Sequence, residues 1–297
     1  MSATGILPPA PTWSFARPAT PAEAVALLSG GAAVVHAGGT DLMVRIKEGR
    51  VPPRLVVDLG SIGEWRHVES AGDTVVIGAA CPIADIERDP LIGRRYPGLV
   101  DAIRVVGSVQ IRNRATLGGN IANASPAADT LPPLVALGAL ARVLGPSGER
   151  TVSVATLVTG PGRTTLAPDE VITAIVLPHN GTQDGSAYLR LTRRNSVDLA
   201  LTSVAVALRR GGEAEGERAT AIAFGSVGPR IVRATAVEEA LGPGPPFNPN
   251  AVDRAAAVAS QSVSPITDVR ASERYRRAMC AVLFRRCLAL AVERGGS

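Results

Sequence analysis

The stretch RATLGGNIANASPAADT, residues 114–130, carries more information about fold and function than any other part of this chain. Two adjacent glycines, Gly118 and Gly119, lie between the hydroxyl residue Thr116 and a run of small polar residues. Glycine reaches positive φ angles and lets backbone amides approach a ligand without a Cβ in the way. Successive amides in such a turn form an anion-binding concavity, and neighbouring hydroxyls add donors. The stretch therefore predicts a phosphate-binding turn.

A second pair of glycines occurs earlier, in the sequence AGGTD at residues 37–41, directly after an apolar run. Either pair alone is more typical of a tight turn that the fold requires. The flanks match, however, because each pair follows an apolar segment and has Thr, Asp or Asn beside it. Two such segments can enclose one diphosphate from both sides. Since no G-x-G-x-x-G motif is present, the pattern predicts a dinucleotide site that is not of the Rossmann type.

Length and composition indicate two domains and exclude some classes of function. The 297 residues suffice for two domains of about 100–200 residues each, and a Pro-His-Asn-Gly-Thr sequence places the boundary near residue 182. We therefore expect one domain at residues 1–182 and a second at 183–297. The net charge is +5, but the 31 Lys and Arg residues are scattered among 26 acidic ones without interleaved aromatics. This distribution argues against nucleic-acid binding.

Cysteine and histidine usage argues against a metal centre in this chain. The three cysteines are too few and too widely spaced for a zinc or four-cysteine iron–sulfur site, so we expect small buried residues. His36, His67 and His179 lack acidic or cysteine neighbours at ligand spacing. With no secretory signal and no run of about 18 apolar residues, we expect a cytoplasmic protein without a membrane span.

Hydrophobic patterns predict a mixed architecture that changes along the chain. Helices and strands alternate up to residue 177, and the sequence TPAE at residues 20–23 predicts a capped helix start. The later part reads as antiparallel strands followed by helices, which is typical of the α+β class. The strands are predicted at residues 187–192, 201–209 and 219–224, and the helices at 234–241, 251–261 and 272–293.

Several segments resemble the FAD-binding subunits of the molybdenum hydroxylases, a family that includes the medium subunit of carbon monoxide dehydrogenase and the flavin domain of xanthine dehydrogenase. The likeness rests on both glycine segments together with QIRN at residues 110–113, ASPAAD at 124–129 and AFGSVGP at 223–229. It covers nearly the whole chain. The resemblance implies a vanillyl-oxidase (PCMH) type FAD-binding domain of two α/β subdomains. A small domain with a three-stranded antiparallel sheet and a three-helix bundle should follow.

In that family the two glycine segments hold the FAD diphosphate, and neither segment here has a histidine or cysteine that would tether FAD covalently. The resemblance implies that Asp129 hydrogen-bonds the sugar part of the flavin, with capping of the following helix as an alternative. Ile172 would pack near the isoalloxazine ring. Arg190 stands where relatives often have a lysine near that ring, and a cation there stabilises anionic reduced flavin. The cofactor-binding residues expected from the resemblance are Val35, His36, Ala37, Gly38, Gly39, Thr40, Asp41, Leu42, Val106, Thr116, Leu117, Gly118, Gly119, Asn120, Asp129, Ile172 and Arg190.

The resemblance further implies that this chain is an electron outlet and not the place where substrate is oxidised. A large subunit would hold the molybdopterin cofactor and a small subunit the 2Fe–2S centres. FAD in this chain would pass electrons to an external acceptor such as NAD, a quinone, oxygen or a carrier protein. The expected assembly is a dimer of heterotrimers, with no catalytic side chain and no metal in this chain.

Two alternatives stay open at the level of sequence. A self-contained flavin-dependent oxidase of the same fold would act on a small alcohol or amine, and it would need a base in a substrate pocket over the flavin. A scaffold that has lost FAD would not need both glycine segments intact. Flavin content and turnover of the isolated chain separate these alternatives from the electron outlet.

Overall fold

The computed structural model describes residues 13–178, 185–210 and 218–296. It is built of three consecutive units, each organised around its own sheet. The predicted domain boundary near residue 182 and His179 lie outside the described residues. No helix in the described ranges is long and apolar enough to cross a membrane.

The first unit is a small parallel sheet with two helices. Its elements are β1 (Ser14–Ala16), α1 (Pro21–Ser29), β2 (Ala33–His36), α2 (Leu42–Lys47) and β3 (Leu55–Asp58). β3 lies between β1 and β2, and both pairings are parallel. α1 begins where the sequence predicts, because the Thr20 hydroxyl accepts a hydrogen bond from Glu23 N at 3.2 Å. The Glu23 carboxylate in turn accepts one from Ala19 N at 2.8 Å.

The second unit is a five-stranded antiparallel sheet covered by short helices. Its strands are β4 (Val68–Ala71), β5 (Thr74–Gly78), β6 (Leu140–Gly145), β7 (Gly148–Ser153) and β10 (Val171–Leu177), with β8 (Val158–Gly160) and β9 (Arg163–Thr164) as a separate hairpin. Its helices are α3 (Ile83–Arg88), α4 (Pro90–Arg95), α5 (Pro97–Arg104), α6 (Val109–Arg112), α7 (Leu117–Asn123), α8 (Leu131–Ala136) and α9 (Val154–Leu157). The strand order is β4-β5-β10-β6-β7. β10 is central and almost entirely buried, which explains its continuous apolar sequence.

The third unit is an antiparallel sheet with three helices on one face. It contains β11 (Ser186–Leu191), β12 (Thr202–Arg210), β13 (Arg218–Gly225), β14 (Val232–Arg233), α10 (Thr235–Leu241), α11 (Pro249–Gln261) and α12 (Glu273–Gly295). The three predicted strands and three predicted helices are present. The two-residue β14 adds a fourth strand at the edge of the sheet beside β13, and its length is too short to show as a hydrophobic pattern.

The sheet of the third unit is buried on both faces, and the side chains on one face are larger than those on the other. Along β12, Val204, Val206 and Leu208 belong to the core that the helices α10, α11 and α12 complete. The alternate residues Ala205 and Ala207 belong to the core of the second unit. Since successive side chains of a strand point to opposite faces, the small residues let the second unit pack closely against this sheet.

A glycine and an ion pair fix the second unit against the third. A Cβ on Gly98 in α5 would lie 2.8 Å from the backbone nitrogen of Ala187 in β11, so the helix and strand touch through their backbones. Asp101, one turn further along α5, binds Arg294 near the end of α12 at 2.6 Å. These contacts hold β11 in place beside the second unit.

The three cysteines are free and buried, as predicted. Burial raises the pKa of the Cys81 and Cys280 thiols to about 11 and raises the pKa of Cys287 further. Because the thiolate is the reactive form of cysteine, these residues act as packing groups.

Candidate functional site

A cleft between the first and second units gathers both glycine segments. It spans about 990 Å³, counting its open mouth. One wall is the loop after β2 with the start of α2, and the other is α7 with the residues that follow β5 and the start of β10. The residues that line it are Val35, Ala37, Gly38, Gly39, Thr40, Asp41, Leu42, Arg45, Leu59, Ala79, Ala80, Ala115, Thr116, Gly118, Gly119, Asn120, Ala122, Asn123, Leu166, Glu170, Val171 and Ile172.

The two glycine segments touch backbone to backbone at Gly38. A Cβ on Gly38 would lie 2.1 Å from the carbonyl oxygen of Arg114 and 2.8 Å from Cα of Ala115, so no side chain fits there. Gly39 has a different reason to be glycine, because its φ is +71° and its Cβ would lie 2.2 Å from Nε2 of His36. Gly38 must be glycine because the two backbones approach so closely, and Gly39 must be glycine because its backbone is left-handed.

His36 lies beneath this loop and outside the cleft wall. Its ring is buried, and Nδ1 lies 3.0 Å from Oδ1 of Asp58. The same oxygen accepts a hydrogen bond from Gly60 N at 3.1 Å. Phe15 packs edge-on against the imidazole, with 6.0 Å between ring centroids. His36 therefore supports Gly39 from below and does not face the cleft, contrary to the expectation for residues 35–42.

Gly118 and Gly119 are helical, so the turn predicted at this position is the first turn of a helix. Both lie in the first turn of α7, and neither has a positive φ. A Cβ on Gly118 would lie 2.8 Å from the carbonyl oxygen and Cβ of Ala79. The glycine therefore lets α7 approach the residues that follow β5. A sequence-based reading disfavours a helix here because glycine is among the weakest helix formers.

Two polar side chains at the start of α7 keep hydrogen-bond donors available to the cleft. The Thr116 hydroxyl accepts from Gly119 N at 3.0 Å, which leaves its proton to donate elsewhere. Oδ1 of Asn120 accepts from the Thr130 hydroxyl at 2.6 Å, which leaves the amide NH₂ group to donate. Such donors, together with backbone amides, suit an oxyanion ligand.

The structure places most of the expected cofactor residues in the lining of this one cleft. Those that line the cleft are Val35, Ala37, Gly38, Gly39, Thr40, Asp41, Leu42, Thr116, Gly118, Gly119, Asn120 and Ile172. Four others, besides His36, lie elsewhere: Leu117 is fully buried in the core, Val106 packs against it, and Asp129 and Arg190 form a separate cluster.

Sequence reasoning missed Arg45 and Asn123 among the cleft residues. Arg45 follows Asp41 by one helical turn, and Asn123 is the last residue of α7. The i, i+4 spacing from Asp41 is the signal that would have placed Arg45 on the cleft side of α2.

Asp129 belongs to a buried hydrogen-bonded cluster with two residues of β11. Its Oδ1 accepts from the Tyr188 hydroxyl at 2.6 Å, and its Oδ2 accepts from Arg190 at 2.8 Å. Arg190 also donates to the carbonyl oxygen of Asp198 at 3.2 Å. Capping of α8 by Asp129 is not observed, since Thr130 stands at the cap position and no side chain caps this helix. The predicted roles of Asp129 at the flavin sugar and of Arg190 at the ring stay predictions.

Burial sets the ionisation of this cluster. Removal from water raises the pKa of Asp129 to about 6, and the charge of Arg190 with the Tyr188 hydrogen bond acts in the opposite direction. Burial also raises the pKa of Tyr188 well above its ordinary value. Asp129 and Arg190 are thus mutually dependent charges at the junction of the second and third units.

Charged side chains in the cleft wall are few. Arg45 is the one basic residue in the described lining, beside the acids Asp41 and Glu170. Arg150 forms a bidentate ion pair with Glu170, in which Nε and Nη2 donate to the two carboxylate oxygens at 2.7 and 2.8 Å. These hydrogen bonds lower the pKa of Glu170. The rest of the lining is small, apolar or uncharged, so a ligand here is bound mainly by backbone amides, hydroxyls and apolar contact.

Two family models match this chain in succession. Residues 11–180 match the FAD binding domain in molybdopterin dehydrogenase, and residues 187–291 match the CO dehydrogenase flavoprotein C-terminal domain. The chain belongs to the family of FAD-binding subunits of molybdopterin dehydrogenases. The resemblance drawn from the glycine segments is thereby confirmed, and so is the expected fold of an FAD-binding domain followed by a smaller C-terminal domain.

Relatives in this family cover nearly the whole chain. The carbon monoxide dehydrogenase medium chain of Hydrogenophaga pseudoflava is 32% identical over 280 residues, which is 94% of this chain and 96% of the relative. The nicotine 6-hydroxylase medium subunit of Paenarthrobacter nicotinovorans is 32% identical over 279 residues, with the same coverage. This chain is accordingly a flavoprotein subunit of a molybdopterin-dependent oxidoreductase.

Solved structures agree with the sequence relatives. The carbon monoxide dehydrogenase from Hydrogenophaga pseudoflava that lacks the Mo-pyranopterin moiety contains a chain with a TM-score of 0.89 and 34% identity, covering 96% of this chain and 98% of that one. Quinoline 2-oxidoreductase from Pseudomonas putida 86 gives a TM-score of 0.88 at 25% identity, covering 97% and 99%. The cleft fits FAD, because it offers a Cβ-free cradle with amide and hydroxyl donors beside an apolar section.

Gly38→Ala tests the backbone contact between the two segments. The new Cβ would overlap Arg114 O, so the loop must shift away from α7 and bound flavin should fall at least about tenfold. The measurement is flavin absorbance per purified chain, together with the unfolding temperature. Gly93→Ala in α4 is the matched control, since its Cβ meets nothing within 4 Å and alanine favours a helix by about 1 kcal/mol. Flavin content equal to wild type in Gly38→Ala would contradict the contact.

Arg190→Met tests the buried pair with Asp129 through its pH dependence. The folded pKa of Asp129, about 6, lies above its ordinary value of 3.8, so its contribution to stability falls as pH rises from about 4 to 6. Loss of Arg190 raises this pKa further and extends the fall to higher pH. The variant should lose about 3 kcal/mol of unfolding free energy at pH 8 and clearly less at pH 5.

Urea unfolding at both pH values measures this loss, with Arg193→Met as the control because that side chain is half exposed and 3.8 Å from its nearest acid. An equal loss at pH 5 and pH 8 would show that the pair with Asp129 is not the cause.

Proposed function

We propose that this chain is the FAD-carrying electron-transfer subunit of a multi-subunit molybdenum hydroxylase or dehydrogenase. Electrons would arrive from 2Fe–2S centres of a small partner subunit and leave through FAD to an external acceptor. The observation that carries the proposal is the cleft in which both glycine segments meet, in a chain whose relatives are named medium chains and medium subunits. FAD, when bound, supplies redox chemistry in one- or two-electron steps.

The two glycine segments would hold the diphosphate of FAD. Residues 37–41 supply the loop whose backbone reaches the second segment at Gly38. Thr116 and Asn120 keep an O–H and an NH₂ group free for phosphate oxygens, because their acceptor atoms are already engaged. Amides and hydroxyls held by a rigid frame need no rearrangement when the anion binds, which favours tight binding.

The apolar part of the cleft would receive the isoalloxazine ring. Ile172 on β10 and Leu59 after β3 lie in this part of the wall with the small residues Ala79 and Ala80. Apolar side chains of this kind exclude water and suit an aromatic ring system. Asp129 already accepts two hydrogen bonds, yet each carboxylate oxygen has a second lone pair for a sugar hydroxyl.

The proposed partners rest on the relatives, which are named a medium chain and a medium subunit. The 2Fe–2S centres would reside in a small partner subunit and the molybdopterin cofactor in a large one, in keeping with the three cysteines of this chain, which are too few for a four-cysteine cluster. A dimer of such heterotrimers in the cytoplasm is our proposed assembly and location. Reduced, buried thiols suit a reducing compartment.

Gly119→Val tests the diphosphate site without knowledge of the substrate. A Cβ on Gly119 would lie 4.0 Å from Cβ of Ala37, so a larger side chain occupies the space between the two segments. We expect the valine variant to lose FAD while its circular dichroism and unfolding temperature in the FAD-free state stay near wild type. Gly119→Ala should retain part of the flavin, because its Cβ meets only the Thr116 hydroxyl closely, at 3.1 Å. Full flavin content in the valine variant would disprove this placement.

The electron route is tested by spectroscopy of the chain alone and with its co-purifying partners. The isolated chain should show a flavin spectrum and no substrate turnover. The complex should add iron–sulfur absorption, and rapid mixing of a reduced iron–sulfur partner with the FAD-loaded chain should bleach the flavin absorption. Substrate turnover by the isolated chain would instead support a self-contained oxidase, and absence of flavin would support a scaffold that has lost FAD.

A further inference from the structure

Arg45 connects the two elements that carry the glycine segments. It lies on α2, directly after the first segment, and its Nη2 donates a hydrogen bond to Oδ1 of Asn123 at 2.7 Å. Asn123 ends α7, which begins with the second segment. Both side chains are half-buried and line the cleft. The guanidinium therefore reaches from one wall of the cleft to the other.

The positive charge of Arg45 has no acidic partner among the residues that the structure describes. Its hydrogen-bond partner is a neutral amide, and no carboxylate in the described ranges lies within ion-pair distance of its guanidinium. Of the two acids in the described cleft lining, Glu170 is bound by Arg150, and Asp41 is exposed. A guanidinium has five N–H donors, so the bond to Asn123 leaves most of them to a ligand.

An anionic ligand is a better partner for Arg45 than the amide that holds it. Hydrogen bonds between two charged groups are about twice as strong as neutral ones, and the planar guanidinium matches phosphate oxygens with two parallel bonds. A half-buried position excludes part of the surrounding water, which strengthens the attraction between the charges, while the exposed part of the side chain stays sensitive to ionic strength. The bond to Asn123 keeps the long side chain ordered, which lowers the entropic cost of binding.

We propose that Arg45, oriented by Asn123, is a further FAD-binding residue that pairs with the anionic diphosphate held between the glycine segments. The inference rests on the proposed function. It assigns the cleft one fixed positive charge in a site otherwise made of neutral donors, and it makes FAD affinity depend on ionic strength.

The test is titration of the flavin-depleted full-length chain with FAD, followed by quenching of flavin fluorescence at low and high salt. Arg45→Met should raise the Kd about 10- to 100-fold, the range for loss of a charged hydrogen bond, and should flatten the salt dependence. Arg45→Lys should fall between wild type and Arg45→Met, because it keeps the charge and loses the fork. Lys47→Met is the matched control, since Lys47 is an exposed cation on the same helix outside the cleft wall. Its Kd and salt slope should equal those of wild type.

Asn123→Ala distinguishes two roles of Arg45: binding the diphosphate, or only linking α2 to α7 through its bond to Asn123. If Arg45 acts on the diphosphate, this variant should lose less affinity than Arg45→Met and should keep the wild-type salt slope. Equal losses in both variants with unchanged salt slopes would overturn the inference, and so would wild-type affinity in Arg45→Met. A wild-type chain that binds no FAD would overturn the proposed function together with the inference, whereas wild-type binding with an unaffected Arg45→Met would overturn the inference alone.

Discussion

The backbone contact between Gly38 and residues 114–115 is the constraint on which the cleft depends. A Cβ at Gly38 would lie 2.1 Å from the carbonyl oxygen of Arg114, so the loop of the first unit and the segment before α7 meet without intervening side chains. Gly118 makes a similar close contact within the second wall, where a Cβ would lie 2.8 Å from the carbonyl oxygen of Ala79, the residue after β5. Because protein interiors are close-packed, shifting either contact by a methyl group moves a whole wall. The distance between the two walls is thus set by main-chain atoms.

Hydrogen bonds then fix what these walls present to a ligand. Asp58 holds His36 under the first loop, and Thr130 holds the side chain of Asn120 at the second. In His36, Nδ1 is hydrogen-bonded to Asp58 and Nε2 lies against Gly39 of the loop. In Asn120, Oδ1 is hydrogen-bonded to Thr130 and the amide NH₂ group is left for the cleft. A site built in this way is organised before any ligand binds, so little conformational freedom is lost on binding. Because the described lining contains few charged side chains, each of them can have a large effect on ligand affinity.

The sequence was sufficient to find the elements of this site but not its tertiary pairs. The glycine segments, the buried strand β10 and the strands and helices of the third unit follow from local pattern. The helical state of Gly118 does not, because glycine propensity argues against it and the reason for glycine is Ala79, which lies far away in sequence. Asp129 meets Tyr188 and Arg190 across about 60 positions, and no local rule pairs them. Local pattern offers capping of α8 as a role for Asp129, but in the structure its carboxylate binds Tyr188 and Arg190 instead.

Control of the cleft by main-chain contacts also bears on how much this fold tolerates change. The chains from carbon monoxide dehydrogenase and quinoline 2-oxidoreductase share the fold at TM-scores of 0.89 and 0.88, with only 34% and 25% identity. Side chains away from a backbone contact can be exchanged at little cost if volume and pattern are kept, whereas a single methyl group at Gly38 cannot be accommodated. A cofactor site of this kind can persist while most of the surrounding sequence changes. The relatives are named for different substrates, so the conserved fold fits a shared task of carrying flavin, separate from substrate choice.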